Sequence, residues 1–158
     1  MACADDLAPE SARAGQGGAF RRPQSVLIVL YTANDEFLLI ERRKPAGFWQ
    51  SVTGSLEWGE APEHGARREV FEETGIAGGE LTDLHWTQVY EILPEFGHVY
   101  APGVTHNLEH AFALLLAGRV PVTLSAKEHA RHQWLAAAAA IAAVSSYTNR
   151  NVIEHLRR

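Results

Sequence analysis

An α+β fold, a mixed β-sheet with helices on both sides, is predicted by the order of elements along the chain. Three observations carry the prediction. Two β-rich apolar runs stand near the start, "SVLIVLYT" (25–32) and "EFLLIE" (36–41). A well-marked helix follows, from Pro62 to just before Gly75. Further strands and then two helix-forming stretches close the chain, so helices are available to cover both faces of one sheet.

Residues 1–20, "MACADDLAPESARAGQGGAF", hold few large apolar side chains and lack a basic start followed by an apolar core. They read as a flexible extension, not as a secretory signal. The domain is expected to run from residue 21 to residue 158. Its first two runs are strands joined by a tight loop at "ANDE". "FWQSVTGS" (48–55) leads into a glycine- and glutamate-rich segment. In the helix, Ala61 precedes Pro62 at the first helical position and Gly75 supplies a left-handed cap. Ala66 and Val70 form an apolar flank that can dock on a core, with Phe71 farther round. Gly65 adds no side chain to the acidic face, which suits either close packing or the approach of a phosphate. "LHWTQVYEIL" (84–93) and "LEHAFALLLAG" (108–118) supply further strands, and "LAAAAAIAAV" (135–144) and "YTNRNVIEHLRR" (147–158) the last helices.

A chain of 158 residues that is 46% hydrophobic suits one domain, burying roughly 70% of its unfolded surface. A formal net charge of -5 argues against general attraction to nucleic acid or to an anionic membrane, so any polyanion must be met locally. No apolar run is long enough to span a bilayer. Cys3 is the only cysteine, which excludes an intramolecular disulfide or a cysteine-rich zinc site and fits a reducing cytoplasm.

The segment "VTGSLEWGEAPEHGARREVFEETGI" (52–76) carries the chemistry. On a helix Glu69, Glu72 and Glu73 project toward one side, and each like-charged pair at that spacing costs roughly 0.2–0.5 kcal/mol. A solvated surface tolerates that cost, so spacing alone admits an inert acidic face. It equally admits a metal site, because converging carboxylates are the hard oxygen ligands of Mg²⁺ or Mn²⁺.

Gly54, five residues, Glu60, seven residues and then Arg68-Glu69-Val70-Phe71-Glu72-Glu73-Thr74-Gly75-Ile76 resemble the complete Nudix box without a departure. The resemblance implies the Nudix hydrolase family, its α/β/α sandwich, and cleavage of a diphosphate bound to divalent metal. Carried over, Glu69 and Glu73 are direct metal ligands, Glu72 a ligand or base, and Arg68 an orienting partner of the acidic cluster. A plain helix salt bridge is the alternative for Arg68. Mg²⁺ is the implied cofactor, with Mn²⁺ as a substitute. Such cations neutralise the diphosphate and orient the attacking water.

Outside the box, "RRPQSVLIVLY", "RRKPAGFWQSVTGS", "YAPGVTHN", "EH" followed by "QWL", and "SSYTNR" resemble the bacterial dihydroneopterin triphosphate diphosphatases. That subfamily implies hydrolysis of a small-molecule triphosphate to dihydroneopterin monophosphate and pyrophosphate in folate synthesis. It also implies a further carboxylate ligand at Glu128, with Glu72 or Glu128 as the base. Arg21 and Arg42 are cations able to pair with phosphate oxygens, or solvated strand-edge charges. Thr53 stands directly before the box glycine. Tyr90, Glu91, Ile92, Leu93 and Ser146 match positions that line the substrate pocket in this subfamily. Trp49 and Tyr100 are stacking candidates that equally suit a core, and the histidines, His64, His98 and His110 among them, read as structural. Two other readings are a nucleotide-pool hydrolase acting on deoxynucleoside triphosphates or oxidised dGTP, which shares the 2-amino-pyrimidinone edge of a pterin, and a non-catalytic nucleotide sensor.

Overall fold

A computed structural model describes residues 20–157; the expected extension, apart from Phe20, lies outside the described residues. The central strand is β1, Gln24–Thr32. Of its nine residues all but Tyr31 are buried, as an alternation-free apolar run predicts for a strand covered on both faces. It turns through Asp35, which has a left-handed φ of 56°, into the antiparallel β2, Glu36–Arg42. β3 (Trp49–Gln50) and β4 (Val52–Ser55) follow, pairing with β2 and β1. The helix α1 spans Pro62–Thr74. β5 (Glu80–Glu91), a short 3₁₀ turn (Pro94–Val99), β6 (His106–Leu116) and β7 (His129–Ala136) precede α2 (Ala137–Ala143) and α3 (Tyr147–Leu156).

These seven strands form one mixed sheet in the order β3-β2-β1-β6-β5, with β4 beside β1 and β7 beside β2. Among the described residues only the β1–β6 pair is parallel. The alternation of side chains on β1 builds two cores. Val26, Ile28 and Leu30 join Ala66 and Val70 of α1 on one face. Leu27 and Val29 join Ala140 of α2 with Val152 and Ile153 of α3 on the other. Each fully buried aliphatic side chain contributes about 1.5–3 kcal/mol, so β1 alone anchors both helical layers.

The helix ends follow the expected chemistry. Ala61 is extended, Pro62 occupies the first turn, and Gly75 at φ 74° donates its N–H to the Phe71 carbonyl at 2.9 Å. The acidic face departs from a solvent-facing cluster. Glu69 and Glu73 are buried, while Glu72 and Phe71 remain exposed. The cause is the close approach of α1 to the sheet, with Glu69 set against Gly54 of β4 and Gly65 against Leu56. A Cβ on Gly65 would lie 2.3 Å from Leu56 Cδ2. Close packing, not space for a phosphate, is therefore the role of that glycine. Among the described residues no helix is long and apolar enough to cross a membrane.

Candidate active site

The loop between β4 and α1 is tied down before any catalytic group enters. Arg22, just ahead of β1 and buried, donates from Nη1 to the Glu57 carbonyl at 3.0 Å and to the Glu60 carbonyl at 2.8 Å. Arg68 completes the bracket. Its Nε and Nη2 grip the two Glu60 carboxylate oxygens at 2.7 and 2.8 Å, the bidentate geometry a planar guanidinium suits best. Nη2 also donates to the Ser55 carbonyl at 3.1 Å, and Nη1 to Glu69 Oε1 at 2.8 Å and Glu72 Oε2 at 3.1 Å. The Arg68 bond holds the Glu60 carboxyl down at about 2, so the pair stays ionised through neutral pH. One side chain thus fixes the strand end, the loop and two helix carboxylates, more than a plain helix salt bridge does.

Glu69 and Glu73 lie one turn apart at the buried edge of this bracket. Burial pushes Glu69 up to about 7, against the pull of Arg68, and the charges of Glu72 and Glu128 raise it further. Burial pushes Glu73 up to about 9, with Glu69 and Glu128 adding to it and the Thr53 backbone N–H opposing. One Glu73 oxygen, Oε2, is buried with no hydrogen-bond partner among the described residues. Buried carboxylates of this kind are stable as anions only beside positive charge. The Glu69 carboxyl packs against Gly54, where a Cβ would fall 1.9 Å from Glu69 Cδ. Gly54→Ala is therefore expected to swing that carboxylate away and lower turnover by roughly a hundredfold, since a misplacement of about 1 Å near the chemistry costs that much. Steady-state kinetics with a melting curve checks it, and wild-type turnover would sink the positional argument.

Glu73, Glu128 and His129 form the group suited to a metal ion, with ligand atoms all within 4.8 Å of one another. The antiparallel register of β2 and β7 places His129 opposite Arg42, and Glu128 directly precedes it. His129 is buried, its Nδ1 has no partner among the described residues, and burial holds it below the ordinary imidazole range, which favours the neutral ring that can ligate. Two desolvated carboxylates of α1, one with an orphaned oxygen, and that of Glu128 just before β7 fit a hard divalent cation. His129 belongs to this constellation, although no histidine spacing in the sequence points to it. The signal that marks it is a polar residue at the buried start of a strand.

The other expected residues divide into two groups. Thr53 and Arg42 stand at the Glu73–His129 end, Thr53 through its N–H to Glu73 and Arg42 through its register with His129. The Arg42 guanidinium lies 5.5 Å from the Phe48 ring centre. Tyr90 and Ser146 lie toward the α3 face of the sheet, where Ser146 Oγ is 2.9 Å from Thr148 Oγ1. Tyr90 is half-buried and hydrogen-bonded by Ser25 and Asn107. Glu91 ends β5, Ile92 donates its N–H to the Thr105 carbonyl at 2.8 Å, and Glu91 and Leu93 are exposed. Arg21 is exposed and lies 5.9 Å over the Tyr100 ring, next in the chain to Arg22 of the loop bracket. Trp49 is covered by Arg131 at 5.3 Å, which favours its packing role. Between the groups, Ser51 and Asn149 clamp α3 to the junction of β3 and β4, with Ser51 N–H to Asn149 Oδ1 at 2.7 Å and Asn149 Nδ2 to Ser51 Oγ at 2.9 Å. Neither clamp residue stands out in the sequence except as part of a quoted motif.

Comparison with known proteins agrees with this geometry. A NUDIX domain model matches residues 21–156. A curated relative from Escherichia coli (strain K12), named dihydroneopterin triphosphate diphosphatase, is 41% identical over 140 residues, 85% of this chain and 92% of that protein. A relative of the same name from Haemophilus influenzae is 35% identical over 140 residues, 85% of this chain and 87% of the other. The solved E. coli dihydroneopterin triphosphate pyrophosphohydrolase superposes with a TM-score of 0.79 at 40% identity, covering 87% of this chain and 96% of that one. With the box intact on a loop and helix and the match running from the first strand to the last helix, the chain belongs to the Nudix family.

Proposed function

We propose that this protein hydrolyses dihydroneopterin triphosphate to dihydroneopterin monophosphate and pyrophosphate with Mg²⁺ at the Glu69, Glu73 and Glu128 carboxylates. As a Nudix hydrolase it acts on phosphoanhydride bonds. The observation that carries the site is the burial of Glu69 and Glu73 with a Glu73 oxygen that has no partner among the described residues, an arrangement that holds protons when nothing positive faces it and favours the anions when a cation does. Bound there, the cation neutralises phosphate oxygens and orients a water in line with the leaving group.

The protein's own residues do the rest. Arg68 holds Glu69 and the loop in register, and Gly54 leaves room for the Glu69 carboxylate. Arg42, at the metal end of β2, pairs with phosphate oxygens, and Tyr90 to Leu93 with Ser146 bound the space for the ring. Glu72 or Glu128, both exposed, takes the proton of the attacking water. The substrate assignment is supported by the names of relatives at 41% and 35% identity across 85% of the chain.

The test is a side-by-side pyrophosphate-release assay with Mg²⁺ on dihydroneopterin triphosphate, the four deoxynucleoside triphosphates and oxidised dGTP. The pterin is expected to lead every nucleotide in kcat/KM by at least about tenfold, which roughly 1.4 kcal/mol of differential transition-state binding supplies. A nucleotide turned over as well or better defeats the pterin assignment and leaves the hydrolase. No pyrophosphate from any substrate defeats both and favours a nucleotide sensor.

A further inference from the structure

A second polar group lies on the sheet face opposite α1, and the hydrolytic site does not use it. Glu109 of β6 is 5% exposed, in register with Ser25 on β1 and Gln88 on β5. It points into the layer that holds Leu27 and Ala111, where an apolar side chain would serve. The Thr148 hydroxyl hydrogen-bonds its carboxyl group, yet Oε1 is buried with no partner among the described residues. Around it, Asn107 Nδ2 donates to Ser25 Oγ at 2.8 Å, and Gln88 Nε2 donates to the Thr148 carbonyl at 3.0 Å. Burial pushes Glu109 up to about 7, and the Tyr90 phenol, beside that carboxyl, is pushed up to about 12 chiefly by burial, with the Glu109 charge adding to it.

A purely structural bracket would be saturated, as the nearby Ser51–Asn149 pair is with two bonds. Glu109 is held by one donor and lacks another, a cost that a native fold retains where a ligand supplies the missing donor. It lies between two half-buried residues already assigned to the ring space. Tyr90 adjoins it directly, and Ser146 reaches it through Thr148 at 2.9 Å. An anionic carboxyl in such a place accepts from paired N–H groups, the pattern of a ring N–H beside an exocyclic amino group.

We propose that Glu109 is the specificity-determining acceptor of this enzyme, its free Oε1 receiving the N–H and amino edge of a 2-amino-pyrimidinone ring while Thr148 holds the carboxyl in place. The inference rests on the pocket assignment of the proposed function, and it names the chemical edge that is read rather than the whole substrate. Rings with that edge, pterin and guanine, are favoured, and adenine, which offers no adjacent pair of this kind, is rejected.

Glu109→Gln keeps size and shape but replaces one acceptor oxygen with a donor. Two measurements test it: kcat/KM for dihydroneopterin triphosphate, dGTP and dATP, and calorimetric binding of dGMP and dAMP without metal, each on the full-length protein and the variant. In the wild type dGTP and dGMP are expected to lead dATP and dAMP, and in Glu109→Gln that lead falls by about a hundredfold, the upper range for losing a hydrogen bond to a charged acceptor. A melting temperature at or above wild type shows that the fold is intact. Equal loss on all substrates, or an unchanged guanine-to-adenine ratio in both assays, overturns the assignment. Collapse of that ratio in an enzyme that turns over no pterin supports the role of Glu109 and defeats the pterin assignment alone.

Discussion

Glu73→Gln is expected to lower kcat/KM by about three orders of magnitude, while the metal-free variant melts higher than wild type at alkaline pH. Removing one anionic ligand of the proposed cation from a desolvated site costs on the order of 4 kcal/mol of transition-state stabilisation, and every 1.36 kcal/mol is tenfold in rate. The stability change has the opposite sign because the anion is costly to bury when no cation faces it. Glu73 is pushed up to about 9 and Glu69 to about 7, both far above an ordinary carboxyl. Between roughly pH 4.5 and pH 9 the native state therefore holds more protons than the unfolded chain, and stability falls as pH rises through that window.

In metal-free protein the melting temperature is expected to drop by roughly 5 °C or more from pH 5.5 to pH 8.5, as a few kcal/mol shifts a domain of this size by that amount. Glu73→Gln flattens the drop, leaving the part due to Glu69 and to Glu109, which is also pushed up to about 7. Added Mg²⁺ restores the wild type most at pH 8.5, where the carboxylates are ionised, and restores the variant little. Melting curves at both pH values with a chelator and with Mg²⁺ read all of this. A variant with the wild-type slope, or with wild-type turnover, would sink the assignment of Glu73 as a buried ligand.

Arg68→Ala is expected to lower the melting temperature by roughly 5–12 °C and to reduce turnover strongly as well. The Glu60 side chain is only 5% exposed, and without Arg68 it keeps a backbone N–H from Glu57 and the exposed His64 ring but loses both guanidinium bonds. Breaking a buried pair from one side costs about 3–5 kcal/mol, discounted here to about 2–4 because Arg68 is 21% exposed. Arg68→Lys keeps the charge but not the two-pronged grip or the Ser55 contact, so it falls between. Since the Glu60 carboxyl is held down at about 2, this contribution is present across neutral pH and is lost only as the pH falls toward that value. An Arg68→Ala protein that melts within about 2 °C of wild type would show the bracket to be dispensable.

Local chemistry made much of this legible in the chain. Proline, glycine and periodicity placed α1 to the residue, because Pro62 suits a first turn and Gly75 a left-handed cap whatever surrounds them. The apolar runs marked β1 and β2, since a strand buried on both faces needs no alternation. The spacing of Glu69, Glu72 and Glu73 brought three carboxylates to one side of a helix, and the box pattern supplied Gly54, Glu60 and Arg68 around them.

What local chemistry does not determine is which of those carboxylates is desolvated and what else meets them. Exposure separates Glu72 from Glu69 and Glu73, and it follows from how deeply α1 sinks against β4, a matter of Gly54 and Gly65 meeting atoms from other elements. His129 joins the site through the register of β7 on β2, and Glu109 becomes an orphaned acceptor only because Thr148 of α3 closes over it from about 40 residues away in the chain. Helix caps and strand periods depend on neighbours within a turn, so one chain displays them. Burial and partnership depend on long-range packing, and only the assembled sheet with both its helical layers decides them.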